Sequence, residues 1–183
     1  MSTESRTVFP WTLYEEIHSE LKLKDSDKPL FPTLMSKYCQ QPDGRIKLIQ
    51  NIHKRLDYVS SFSELYRNAT RFHRELSTLF YIETIITTNW DDYFEKECGA
   101  VPLSTPADFA LWNIPGRKVI KIHGSANNYG SIIATEEDYA SAKETLEKGS
   151  LGSALKLLLA TKTILYIGYS LLDYDFITVL STP

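Results

Sequence analysis

Phe80-Tyr81-Ile82-Glu83-Thr84-Ile85-Ile86-Thr87-Thr88-Asn89-Trp90-Asp91-Asp92 (FYIETIITTNWDD) decides how this chain folds. Phe80 to Thr87 is rich in β-branched and aromatic side chains, the composition of a strand. It gives way at once to small and polar groups, then to a helical stretch, Asp91 to Cys98, with Gly99 as its C′ residue. The pattern recurs twice. Lys118 to Ile122 (KVIKI) runs into His123-Gly124-Ser125, and Thr163 to Gly168 (TILYIG) runs into Tyr169-Ser170. In a parallel α/β sheet, buried strands read as continuous apolar runs and ligands sit in the crevice beyond their carboxyl ends. Three such ends predict one shared pocket.

Outward from these strands the pattern is helical. Thr135-Glu136-Glu137-Asp138 reads as a capping-box variant before a helix ending near Gly149, and Leu151 to Ala160 as an apolar helix leading into TILYIG. Strands alternating with helices give an α/β chain with a parallel sheet covered on both faces, the doubly wound class. Residues 1–78 show helical periodicity alone. Pro10 suits a first turn, with Trp11, Tyr14, Ile17 and Leu21 recurring through Lys22. A second helix is expected from Leu30 to Tyr38. The Pro42-Asp43-Gly44 turn precedes a third, with Ile46, Ile49, Ile52, His53 and Leu56 on one face. Ser61 or Ser63 caps a fourth, through Leu65, Tyr66, Ala69, Phe72 and Leu76. The chain thus reads as one domain, a helical layer over 1–78 and an α/β part over 79–183.

Composition bounds the function. With 183 residues, 43% of them hydrophobic, the chain buries a core of one domain. The formal net charge is −3 and the basic residues are interspersed with acidic ones, which argues against direct nucleic-acid binding. Cys39 and Cys98 are the only cysteines, with no CxxC pair, so neither a disulfide framework nor a Cys-rich zinc site is expected. A reducing, cytoplasmic setting is the natural expectation. The polar Met1–Thr7 segment and the absence of any apolar run of roughly 20 residues argue against export and membrane insertion.

The strand ends carry the candidate chemistry. Asn89, between strand and helix, serves equally to cap the helix or to orient a ligand. Asp91 and Asp92 fall where a helix macrodipole favours negative charge. His123 projects at the sheet edge beside a backbone that Gly124 leaves accessible; it is either a general base near neutral pH or a satisfied edge residue. His18, His53 and His73 lie in helical segments without such neighbours and are read as structural. Gly168 and Ser170 either admit a phosphate or ribose to the main chain or form an ordinary strand-to-helix turn, capped by Ser170 or Asp173.

Taken together, TTNWDDYFEKECG, KIHGS and IGYSLLDYDF, in this order over Thr87 to Phe176, resemble the sirtuin-like domains of bacterial defence proteins. The resemblance implies a Rossmann-like fold that binds NAD+ and cleaves the bond between nicotinamide and ribose. By that likeness Asn89 positions the water or ribose, and His123 is the catalytic base. Asp91 lies near the nicotinamide, Gly168 and Ser170 contact ribose and phosphates, and Thr88 and Gly124 also join the cofactor-binding set. Related domains often act as oligomers with a separate sensor, so a homo-oligomer or companion sensor domain is implied as partner.

Two departures from the family pattern matter. Its protein deacylases carry a four-cysteine zinc module, whereas the interval from Asn89 to His123 holds Cys98 alone. No zinc is expected, and the likeness is to the branch that hydrolyses NAD+ to nicotinamide and ADP-ribose during infection; deacylation is the weaker alternative. Such domains also begin with a strand and a GAGxS loop whose amides cradle the pyrophosphate. Here the first glycine is Gly44, and Phe9-Pro10-Trp11 resembles the stretch shortly after that loop. The expectation is therefore a fragment lacking its first βα unit and incomplete at both ends. Its non-enzymatic rival is an inactive sirtuin-like scaffold.

Overall fold

The computed structural model describes residues 12–169. Thr12 opens the first helix, α1 (Leu13–Glu20), through a reciprocal capping box: Glu15 N–H donates to the Thr12 hydroxyl while the Glu15 carboxylate accepts from Thr12 N–H. Helix α1 is thus shorter than the expected run to Lys22, because Lys22 takes a left-handed φ of 53°; Pro10 and Trp11 lie outside the described residues. Helix α2 (Phe31–Cys39) carries proline in its first turn, and α3 spans Gly44–Ser61. Gly44 is a packing glycine. A Cβ there would stand 2.2 Å from the Tyr38 carbonyl, so only glycine lets α3 start against the end of α2.

The core of this helical layer holds Leu13, Ile17, Leu34, Met35, Tyr38, Leu48 and Ile52, together with Ile132 and Ala134 from the α/β part. On α3 the buried face runs through Leu48, Ile52, Arg55 and Val59. Ile46, expected on that face, is exposed: the helix turns toward Glu16, whose carboxylate the buried Arg55 guanidinium engages. The expected fourth helix is two, α4 (Ser63–Ala69) and α5 (Arg71–Ser77), broken at the fully buried Thr70, whose hydroxyl donates to the Tyr66 carbonyl. Neither Ser61 nor Ser63 caps α4. Phe62 holds the N-cap position, and the Ser61 hydroxyl donates back to the Asp57 carbonyl at 2.7 Å.

Three parallel strands form the sheet: β1 (Thr84–Thr87), β2 (Val101–Leu103) and β3 (Lys118–Lys121), in the order β1-β3-β2. Helix α6 (Tyr93–Cys98) crosses from β1 to β2, and Gly99 closes it at φ 61°, as the sequence led one to expect. Strand β2 was not foreseen; three residues carry too little pattern. Register pairs Ile85 with Val119 and Ile86 with Ile120. Successive side chains point to opposite faces. Ile85 and Val119 therefore meet Leu76 of α5 and Phe94 of α6, while Ile120 and Ile122 meet Leu146, Leu151, Leu155 and Leu158 of α7 (Glu136–Lys148) and α8 (Ser150–Thr161). Each such burial contributes roughly 1.5–3 kcal/mol. The sheet is covered on both faces, as the doubly wound reading requires.

Two expectations about strands are corrected. Strand β1 starts at Thr84, not Phe80; Phe80 and Tyr81 are 86% and 72% exposed. The Arg117 guanidinium donates to the Leu79 and Ile82 carbonyls, both at 2.8 Å, and holds 79–82 as a turn. Nor is TILYIG a strand: residues 163–168 join no ladder among the described residues, and Leu165, Tyr166 and Ile167 are largely exposed. β-propensity describes fit to a pleated, half-buried surface; without a partner edge it leaves an extended chain.

The helical layer docks on the segment beyond the second motif. Thr33 and Ser36 of α2 donate to Glu136 and Glu137 of α7, and Arg45 of α3 bonds both Asp138 and the Ile132 carbonyl. The Thr135 capping box on Asp138 is present as read from sequence. Among the described residues no helix is long and apolar enough to cross a membrane.

Candidate active site

Because Thr87 pairs with Lys121 in parallel, Thr88-Asn89 and Ile122-His123 leave neighbouring strands at the same edge. The two ends are then tied. Trp90 donates its indole Nε1–H to the His123 carbonyl at 3.0 Å, and its own carbonyl accepts from Ala126 N–H at 2.9 Å. The Trp90 ring packs on the helical core and near Phe31 of α2, with ring centroids 6.2 Å apart. Asn89 is held by its backbone N–H, which donates to the Thr87 hydroxyl at 3.1 Å. It does not cap α6, which begins four residues later; Thr88 and Asn89 are both half-buried at the end of β1.

Asp91 and Asp92 divide two tasks. The Asp91 carboxylate accepts from Tyr93 N–H at 3.2 Å, satisfying a first-turn amide of α6. Asp92 accepts from the Asn127 amide at 3.2 Å and pairs with Lys96 at 3.0 Å. Burial pushes the Asp91 carboxyl up to about 6, against the pull of Lys121. Lys121 is fully buried and donates to the Asp91 carbonyl and to Glu95 Oε1, the latter at 2.9 Å.

His123 is 6% exposed, and its ring meets Tyr139 of α7 edge-on, centroids 5.1 Å apart. Its carbonyl also accepts from Ile133 N–H. Gly124 has φ +81°, and a Cβ on it would fall 1.8 Å from the Ser131 carbonyl oxygen. The glycine's open side is therefore filled by the chain's own backbone, which corrects the expectation that it bares the main chain to a ligand. The loop closes on itself: Ser125 N–H donates to the Ser131 hydroxyl, which donates to the Asn128 carbonyl. The outcome is a fixed His123 backbone.

Two of the three motif ends are thus brought together as strand ends. Gly168 has φ +62° but is exposed and ends no strand. The adjoining Tyr169 packs on the cluster containing Ile120 and Ile122, so the third motif reaches the flank of β3 by a side chain rather than by pairing. Ser170, Asp173 and the expected Leu171–Phe176 helix lie outside the described residues. Among the described residues no group of three or more His, Cys, Asp or Glu is gathered to hold a metal ion. His18, His53 and His73 sit on α1, α3 and α5, away from the strand ends in sequence. The sequence reading missed Lys121 and Trp90 as members of the site. Each had a signal: a charge inside a buried strand must be paired, and a buried indole N–H needs an acceptor.

Residues 83–182 match the family described as a SIR2-like domain. The chain is also similar to NAD(+) hydrolase ThsA of Cytobacillus dafuensis, 32% identical over 176 residues, which cover 92% of this chain and 33% of the relative. It spans about a third of the length of that curated relative.

Proposed function

Since this chain belongs to the SIR2-like domain family, we propose that it carries the hydrolytic part of an NAD+ glycohydrolase, releasing nicotinamide and ADP-ribose, and works in cytoplasmic anti-phage defence. The observation that supports this most directly is the Trp90–His123 bond, which locks the Asn89 and His123 segments into one edge of the sheet. In this reading Asn89 orients the attacking water at the ribose carbon. His123 takes that water's proton as the new C–O bond forms. The glycosidic electron pair leaves with nicotinamide, whose ring nitrogen becomes neutral, so no metal is needed to stabilise the leaving group. Positioning around the oxocarbenium-like ribose supplies the rest, with the Asp91 carboxylate beside the nicotinamide. Thr88, Gly124, Gly168 and Ser170 complete the NAD+ contacts, Gly124 by shaping the loop. The interval from Asn89 to His123 holds Cys98 alone, too few thiols for a four-cysteine zinc module, which supports the hydrolase over a deacylase.

The rival reading is an inactive sirtuin-like scaffold. Incubating the chain with NAD+ and measuring nicotinamide separates the two. Wild-type release that Asn89→Ala and His123→Ala each reduce by at least about a hundredfold supports the hydrolase. Release no faster than in those variants leaves the scaffold. Lysine deacylation by the wild type would overturn both.

A further inference from the structure

We infer that Lys121 is a positioning residue of this site: its buried ammonium fastens the turn carrying Asn89 and Asp91 to the end of β3, two residues before His123. The inference rests on the hydrolase reading for its functional consequence, but its geometry stands apart from it.

Lys121 ends the buried strand Lys118-Val119-Ile120-Lys121 and is 0% exposed. A buried ammonium is costly unless it is paired and hydrogen-bonded, and an apolar residue of similar volume fills such a place at no desolvation cost. What an ammonium adds is directed bonding. Its two acceptors lie on one stretch of chain, the Asp91 carbonyl in the β1–α6 turn and Glu95 Oε1 in the first turn of α6. Lys121 closes β3, and His123 follows it in the turn made by the Gly124 N–H bond to the Lys121 carbonyl, where the imidazole meets Tyr139 of α7. One side chain thus ties the end of β3 to the turn after β1, a second tie beside that of the Trp90 indole to the His123 carbonyl.

The arrangement also sets the charge of Asp91. Facing it are Lys121 from β3, and from α6 and its approach Glu95, Asp92 and the Tyr93 amide. Burial, Glu95 and Asp92 favour the neutral acid; Lys121 is the foremost opposing group, with the Tyr93 N–H behind it. Lys121 thus keeps Asp91 ionised at neutral pH. A residue serving packing alone would have no such effect.

Lys121→Met and Glu95→Gln in the full chain test this, read by carbon-13 carboxyl titration of Asp91 and by the pH profile of nicotinamide release. In Lys121→Met the Asp91 midpoint should rise by about one unit or more, the acid limb of kcat should move up with it, and KM for NAD+ should change less than kcat. In Glu95→Gln the midpoint should fall, because a negative neighbour is gone and Lys121 turns wholly to Asp91. If Lys121→Met does not fold, the downward shift in Glu95→Gln decides. An Asp91 midpoint that stays put in the folded variants overturns the inference. A wild type that releases no nicotinamide fells the hydrolase reading alone, and the titration still decides the link between Lys121 and Asp91.

Discussion

Gly124→Ala puts a methyl group where the structure has none to spare. The new Cβ would fall 1.8 Å from the Ser131 carbonyl oxygen, 2.3 Å from its carbon and 2.9 Å from Ile132 N. All are backbone atoms, in a loop already fixed by the Ser125–Ser131 and Ser131–Asn128 bonds, so none is free to swing aside. An L-residue at φ +81° costs about 1–2 kcal/mol, and overpacking against an unyielding neighbour about 1–3 kcal/mol more. The sum, about 2–5 kcal/mol, lowers the melting temperature of a chain of this size by roughly 5–15 °C. Gly130→Ala is the control within the same loop: its Cβ meets nothing nearer than the Asn128 side chain at 3.8 Å. Thermal and urea unfolding of both variants, with nicotinamide release below the transition, measure the difference. Equal stability of Gly124→Ala and wild type, or equal losses in both variants, would refute the assignment of Gly124 to close approach of the loop backbone.

Other named contacts carry their own expected outcomes. Trp90→Phe keeps the ring near Phe31 but loses the bond to the His123 carbonyl, which still accepts from Ile133. It should cost about 1 kcal/mol in urea unfolding and slow nicotinamide release about ten- to a hundredfold, because the two strand ends are no longer tied. Arg117→Met frees the Leu79 and Ile82 carbonyls and should lower stability by about 2 kcal/mol, with faster amide exchange at the start of β1. Two groups give stability an opposed pH dependence. Burial among Phe72, Tyr93 and Phe94 pushes His73 down to about 4 from 6.5, so the unfolded chain takes up its proton first and stability is lost as pH falls from 6.5 toward 4. Asp91, raised to about 6 from 3.8, acts the other way: the unfolded chain ionises first, and stability is lost as pH rises from 3.8 toward 6. Over their shared range the two nearly cancel in the wild type. Urea midpoints should therefore fall as pH rises in His73→Phe, where Asp91 acts alone, and fall as pH drops in Asp91→Asn, where His73 acts alone. Slopes unchanged from wild type would contradict the burial of either group.

The sequence by itself determined the alternation of helix and strand, the caps at Thr135 and Gly99, and the two motif ends at Asn89 and His123. These rest on local chemistry: a Thr three residues before an acid, a glycine after a helix, an apolar run ending in polar groups. Where the burial of a face or the pairing of an edge decides, local chemistry is silent. The face of α3 depended on Arg55 finding Glu16, the start of β1 on Arg117 seizing two carbonyls, and the fate of TILYIG on whether an edge met it. Gly124 shows the same division. Its identity was legible as a turn glycine beside a histidine, but whether its open side faces a ligand or the Ser131 backbone is a matter of through-space distance. Only the tertiary structure bonded Lys121 to the Asp91 carbonyl and Trp90 to that of His123, because such bonds join residues about thirty positions apart and leave no periodicity in the chain.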